Sequence, residues 1–144
     1  MKKVTGRQNP ADTPALVLAY LGDAVYELFV RRYLVSCGYS KVDMLHTLAV
    51  KFVNAATQAK VLHTLKEGLN EDEAAIVRRG RNAKSGSAPK NTSMTDYRYG
   101  TAFESLIGYL YLSDREDRIN EIFEVACAIV LCGQEGDNNE GNTH

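Results

Sequence analysis

Two segments of this 144-residue chain are apolar on nearly every side of a helix, and each contains a single charged residue. The first runs from residue 15 to 25 and holds Asp23, and the second runs from residue 99 to 112 and holds Glu104. Neither approaches the roughly 20 apolar residues that span a bilayer. A helix that is apolar all round is buried, whereas a surface helix keeps one polar face. The pattern therefore predicts two central helices around which the rest of the chain packs.

The other segments also show helical periodicity, and no segment alternates for long enough to predict a strand. The predicted helices run from about Pro14 to Val35, Val42 to Leu48, Val53 to Leu65, Asn70 to Gly80, Thr95 to Leu112 and Arg115 to Leu131. Residues 81–93 are rich in Gly, Pro, Ser and Asn and are predicted to form a loop. We therefore expect an all-α fold with one domain over residues 12–132 and flexible ends at residues 1–11 and 133–144.

The lone acids of the two central helices, Asp23 and Glu104, bear on chemistry. A carboxylate in an apolar helix is costly to bury unless it is paired, protonated or bound to a cation. For either acid alone, the simpler interpretation is an ion pair with an arginine such as Arg78 or Arg79, or hydrogen bonds to a neighbouring helix. For the two together the balance shifts, because two carboxylates from two core helices could converge on a hard cation such as Mg²⁺. Gly22, beside Asp23, lowers helix propensity and indicates a close approach by another segment.

A third acid, Glu27, follows Asp23 by four residues and therefore lies on the same helical face. It is a candidate metal ligand and a candidate partner for a ligand. It is equally a candidate ion-pair partner for Arg31, one turn further along.

The positive charge of the chain is concentrated in one stretch. The net charge is −1, yet residues 78–98 contain six of the 17 Lys and Arg residues and a single acid, Asp96. Neutralisation of phosphates supplies most non-specific affinity for nucleic acid, so this stretch is a candidate contact for a polyanion. A solvated basic loop is the alternative, and charge alone does not separate the two.

The cysteines and histidines argue against two other kinds of site. Cys37, Cys127 and Cys132 are odd in number and have no Cys-x-x-Cys spacing, so neither a disulfide framework nor a zinc ribbon is predicted. The histidines are scattered and form no His-Glu-x-x-His motif. The basic N-terminus lacks the apolar core and cleavage site of a secretion signal. We therefore expect a protein of the reducing cytoplasm.

Three motifs make the chain recognisable. The run Leu21-Gly22-Asp23-Ala24-Val25, followed by Glu27, resembles the signature helix of ribonuclease III catalytic domains, and residues 103–108 with Tyr111-Leu112 resemble the second acidic motif of that family. Residues 78–86, 89–92 and 97–99 resemble the bacterial Mini-ribonuclease III branch. The likeness covers residues 15 to 130, with the motifs in the family's order.

The resemblance implies an all-α, homodimeric endonuclease that cuts double-stranded RNA and matures the ends of precursor 23S ribosomal RNA. It implies Mg²⁺ as cofactor, with Mn²⁺ as a substitute, and a ribosomal protein on the precursor ribosome as a candidate partner. Asp23 and Glu104 become the expected catalytic and metal-binding residues. The expected RNA-binding residues are Arg78, Arg79, Arg81, Lys84, Ser85, Lys90, Asn91 and Arg98. Full-length members carry further acids at the positions of Ala19 and Thr101, where the small branch resembles this chain.

Two alternatives belong to other functional classes. A non-catalytic RNA-binding or ribosome-assembly factor would use the same basic stretch, with Asp23 and Glu104 as buried ion-pair partners. It would bind RNA without regard to Mg²⁺, and Asp23→Asn would destabilise it by roughly 3 to 5 kcal/mol. A protein–protein scaffold ranks last, because it leaves the charge of residues 78–98 unexplained.

Overall fold

The computed structural model describes residues 9–83 and 86–140, and this part of the chain forms helices and no strand. A 3-10 turn at Pro10–Asp12 precedes six α-helices, and a second 3-10 turn at Lys66–Gly68 joins the third to the fourth. The α-helices are α1 Ala15–Ser36, α2 Val42–Val53, α3 Ala55–Leu65, α4 Glu71–Asn82, α5 Met94–Leu112 and α6 Glu116–Glu140. The all-α prediction is confirmed.

None of the helices within the described residues combines the length and the apolar character needed to cross a membrane. Four helices, α1, α3, α4 and α6, instead pack around α5, with α1 making the most extensive contact. Along α5, Ala102, Phe103, Leu106 and Ile107 have no exposed surface. The second apolar segment of the sequence is therefore the central helix, as its composition predicts.

Aromatic rings tie α1 to the helices around it. The ring of Tyr26 meets Phe103 edge to face, with centroids 4.8 Å apart, and Phe52 stacks on Phe123 at 5.9 Å. The Tyr26 hydroxyl donates a hydrogen bond to the Phe52 carbonyl oxygen at 3.2 Å. Burial raises the pKa of Tyr26, so the ring stays neutral as a packing element. These contacts hold α1, α2, α5 and α6 in one core.

Two helices are longer than their sequence patterns predict. Helix α2 continues beyond Leu48 to Val53, because Ala49 and Phe52 turn into the core. Helix α6 continues beyond Leu131 to Glu140 and so enters the segment predicted to be a flexible end. Residues 1–8 and 141–144 of the predicted ends lie outside the described residues. The domain limits and the flexibility of both ends stay predictions.

Candidate active site

Helices α1 and α5 cross so closely that two glycines are required at the crossing. A Cβ atom on Gly22 would overlap the backbone carbonyl of Glu104, and one on Gly108 would overlap the backbone carbonyl of Leu18. The Ser105 hydroxyl lies 2.9 Å from the Ala15 carbonyl oxygen and fixes the beginning of α1 on α5. The close approach that Gly22 indicates in the sequence is the backbone of α5.

This crossing brings Asp23 and Glu104 together. Their side chains are within hydrogen-bonding reach, with Asp23 exposed and Glu104 half-buried. Burial raises the pKa of Glu104 from 4.5 to about 8, and the charge of Asp23 and its hydrogen bond add to the rise. Glu104 is therefore mostly protonated at neutral pH and is hydrogen-bonded to Asp23. We refer to these two residues as the carboxyl pair.

The carboxyl pair has no cationic partner among the described residues. The expected ion pair with Arg78 or Arg79 does not form there, because Arg78 is exposed and Arg79 is engaged elsewhere. The Arg79 guanidinium donates hydrogen bonds to the carbonyl oxygens of Ala11 at 2.7 Å and of Thr13 at 2.8 Å. Arg79 thus fastens the segment before α1 onto α4.

No third acidic, histidine or cysteine side chain joins the carboxyl pair in residues 9–83 and 86–140 to make a larger metal-binding group. Glu27 forms a salt bridge with Arg31 on the helix surface, with 2.7 Å between a carboxylate oxygen and a guanidinium nitrogen. Thr101 donates its hydroxyl to the Tyr97 carbonyl oxygen at 3.0 Å, one turn before Glu104. Two carboxylates with open access on one side suit Mg²⁺, which often takes one or two carboxylates and fills its other positions with water and substrate phosphate. Asp23 and Glu104 therefore fit a divalent ion.

The predicted RNA-binding residues lie near the end of α4, in the segment after it and near the start of α5. Arg78, Lys90, Asn91 and Arg98 are exposed, and Arg81 is half-buried. The Thr92 amide donates to the Pro89 carbonyl oxygen at 3.1 Å, so that Lys90 and Asn91 sit at the tip of a turn. Lys84 and Ser85 fall outside the described residues.

One surface of α1 was missed by the sequence interpretation. The helix is not buried all round, since Tyr20 is 84% exposed and Val17, Leu28 and Val35 are each more than half exposed. With the exposed Ala24 they form a stripe beside Asp23, which we call the apolar α1 face. The sequence does contain a signal for this stripe: Val17, Ala24, Leu28 and Val35 follow one another at spacings of seven, four and seven residues, which place them on one side of a helix.

Comparisons with known proteins agree with the motifs. Residues 16–115 match the model of the Ribonuclease III domain. The chain is 52% identical over 130 residues to Mini-ribonuclease 3 of Brevibacillus brevis, covering 90% of this chain and 97% of that protein. It is 47% identical over 126 residues to Mini-ribonuclease 3 of Symbiobacterium thermophilum, covering 88% and 97%.

A solved structure shares the fold. The crystal structure of a Fusobacterium nucleatum protein superposes with a TM-score of 0.76 at 30% identity, covering 83% of this chain and 97% of that one. Members of the matched family act on double-stranded RNA and generally depend on a divalent metal. The chain therefore belongs to the ribonuclease III family, in its Mini-ribonuclease branch, and is an endoribonuclease.

Proposed function

We propose that the protein is a Mg²⁺-dependent endonuclease of double-stranded RNA in which Asp23 and Glu104 hold the ion, with Mn²⁺ as a substitute. The observation that carries the proposal is the meeting of two carboxyl groups from two core helices, with no cationic partner in the described part of the chain. When bound, the ion lowers the pKa of the attacking water and offsets charge on the scissile phosphate. The products are expected to end in 5′-phosphate and 3′-hydroxyl groups.

The protein residues have distinct tasks in this reaction. Asp23 is exposed, so its carboxylate is accessible to an ion and to substrate from solvent. Glu104 must give up its proton to bind a cation. Because its pKa is raised to about 8, this loss costs free energy at neutral pH and costs little above about pH 8. The backbone contact at Gly22 fixes the spacing between the two side chains.

The RNA duplex is proposed to lie across the exposed residues Arg78, Lys90, Asn91 and Arg98, together with Arg81, Lys84 and Ser85. Contacts of this kind grip the phosphate backbone without reading sequence, and A-form RNA is recognised by its shape and its 2′-hydroxyls. Arg79 is expected to act structurally, because its guanidinium already binds two backbone carbonyls. Raising salt from 50 to 200 mM should weaken binding by roughly a hundredfold or more, which a filter-binding series would measure.

The apolar α1 face supports a two-fold homodimer. An exposed apolar stripe on a core helix marks a protein interface, and a two-fold axis would bring the same stripe of two copies together. Such a dimer would carry one carboxyl pair for each RNA strand and make a staggered cut with a short 3′ overhang. Leu28→Lys places a charge in the stripe and should shift the protein to monomers in sedimentation velocity.

The physiological substrate is proposed to be precursor 23S ribosomal RNA, cut near its ends in the cytoplasm. The support is the likeness to the Mini-ribonuclease branch over most of the chain. A ribosomal protein on the precursor particle is the proposed accessory partner.

Cleavage of a labelled RNA duplex, in Mg²⁺ and in EDTA, tests the enzyme proposal. Discrete Mg²⁺-dependent fragments are expected from the wild type and not from folded Asp23→Asn or Glu104→Gln. Precursor 23S ribosomal RNA should be cut near its ends under the same conditions. Binding of both RNAs without cutting would overturn the proposal and favour the non-catalytic assembly factor.

A further inference from the structure

Helix α3 contains a polar side chain that the proposed chemistry does not yet use. Gln58 is only 3% exposed, and its amide makes no hydrogen bond with any of the residues that the structure describes. Buried side-chain amides are almost always hydrogen-bonded, and an unpaired one costs free energy. In the described part of the chain, no fully buried polar side-chain atom lacks a partner, so the amide must retain a narrow opening to solvent. A small polar molecule can therefore reach it.

The Gln58 amide packs against α5 at a glycine one helical turn before Glu104. Its Oε1 atom is 3.1 Å from the position that a Cβ atom of Gly100 would occupy. Gly100 precedes Glu104 by one helical turn, and side chains four residues apart on a helix are neighbours, with Cβ atoms about 5–6 Å apart. The amide thus fills the space that a larger residue at position 100 would take, one turn along α5 from Glu104.

Glu104 is bracketed by two glycines, each of which admits a different helix. Gly108, one turn after Glu104, receives the backbone of α1, which carries Asp23. Gly100, one turn before it, receives Ala55 and Gln58 of α3. Glu104 therefore has the Asp23 carboxyl group as a neighbour, and the neutral Gln58 amide lies one turn along α5 from it, on the side where α3 packs.

We propose that Gln58 is a positioning residue of the metal site, and that its amide oxygen accepts a hydrogen bond from a water bound to the ion held by Asp23 and Glu104. This inference rests on the proposed function. Mg²⁺ keeps several of its waters in proteins, and those waters need acceptors that fix them in place. The amide is too deeply buried to meet a ribose or base of a duplex on the surface, whereas a water fits its opening.

Two measurements on Gln58→Met separate this role from a structural one. Methionine keeps the unbranched shape of glutamine and removes the amide. Mn²⁺ titration of the protein without RNA, followed by electron paramagnetic resonance, should show affinity about tenfold weaker than that of the wild type. The melting temperature of the metal-free variant should be equal to or above that of the wild type, because the amide has no hydrogen bond to the described residues that the substitution could remove. A structural amide would instead leave Mn²⁺ affinity unchanged and lower the melting temperature.

Two further variants complete the design. Gln58→Glu places a carboxylate at the same point and should bind Mn²⁺ more tightly than the wild type. Thr57→Val, which removes the polar group of a half-buried neighbour on α3, should leave Mn²⁺ affinity unchanged. Equal affinity of Gln58→Met and the wild type would overturn this inference alone. Equal affinity of Asp23→Asn and the wild type would overturn the proposed metal site, and this inference with it.

Discussion

Two glutamates of this protein lie on core-facing helix surfaces, and their surroundings differ in kind. Glu73 on α4 is 2% exposed and receives two hydrogen bonds from Arg118, at 2.9 and 3.1 Å, and one from the Asn70 backbone amide at 3.1 Å. Glu104 on α5 faces a second carboxyl group instead. The first is satisfied by the fold, and the second is satisfied only by a proton or a cation. The difference teaches that the partner of a buried acid, more than its burial, separates a structural group from a functional one.

The largest expected effect comes from removing the charge of Glu104. Glu104→Gln should lower the cleavage rate by roughly a thousandfold or more, because an ion's stabilisation of the transition state is worth several kcal/mol. Its stability without metal should be equal to or above that of the wild type, since the folded protein no longer has to keep a buried carboxyl group protonated at neutral pH. Single-turnover cleavage and urea denaturation measure the two effects. A marked loss of stability would break the comparison with Glu73.

The reverse result is expected for Glu73→Gln. Glutamine keeps the capping function at this position, so the substitution isolates the charge. Unfolding should become easier by about 3 kcal/mol, because the guanidinium of Arg118 stays behind without its buried partner. Cleavage by the folded fraction at low temperature should be retained. Glu121→Gln removes the charge of the other acidic partner of Arg118, which is 60% exposed, and should cost less than about 1 kcal/mol.

A glycine lies near each of the two glutamates, and replacing each glycine by alanine tests the comparison further. A Cβ on Gly22 would overlap the Glu104 carbonyl, whereas a Cβ on Gly68, whose carbonyl accepts from Arg118, would meet nothing within 4 Å. Gly22→Ala should cost about 2 kcal/mol of stability and raise the Mg²⁺ concentration needed for cleavage. Gly68→Ala should change stability by less than about 0.5 kcal/mol and leave the Mg²⁺ requirement alone.

A last expected effect is a dependence of metal affinity on pH. The pKa of Glu104 is raised from 4.5 to about 8, so the folded protein keeps a proton that the unfolded chain releases. Its contribution to stability is therefore full below about pH 4.5 and is lost as the pH rises toward 8. Mg²⁺ must displace this proton, so affinity should rise by about tenfold per pH unit up to pH 8 and then level off. Calorimetric titrations from pH 6 to 9 measure the slope, and Glu104→Gln should lack it.

Much of the fold was predictable because its helices carry clear periodicity. The central position of α5 followed from its apolar composition, and the site followed from the lone acids Asp23 and Glu104. The end of α2 was missed because burial of Ala49 and Phe52 depends on helices distant in sequence. Sequence periodicity reports the apolar character of a segment and not which side finds a partner, so the apolar α1 face was missed too.

Individual polar partners were not predictable. Arg79 bonds carbonyl oxygens 66 and 68 residues earlier in the chain, and any residue type could have supplied those oxygens. Gln58 carries no motif in the sequence, and its approach to α5 depends on the absence of a side chain at Gly100. The metal-binding role of the carboxyl pair and the RNA-binding role of the basic residues stay predictions.

The different sides of α1 each have a contact or a proposed role, and this should limit how many substitutions the helix tolerates. One side touches the backbone of α5 at Gly22, the opposite side is the apolar α1 face, and Asp23 lies at the border between them. Little of this helix is left for neutral change if each side serves its proposed role. Random mutagenesis with selection for activity should find α1 the least tolerant element of the chain, including at solvent-facing positions such as Val17 and Leu28, where most proteins accept almost any residue.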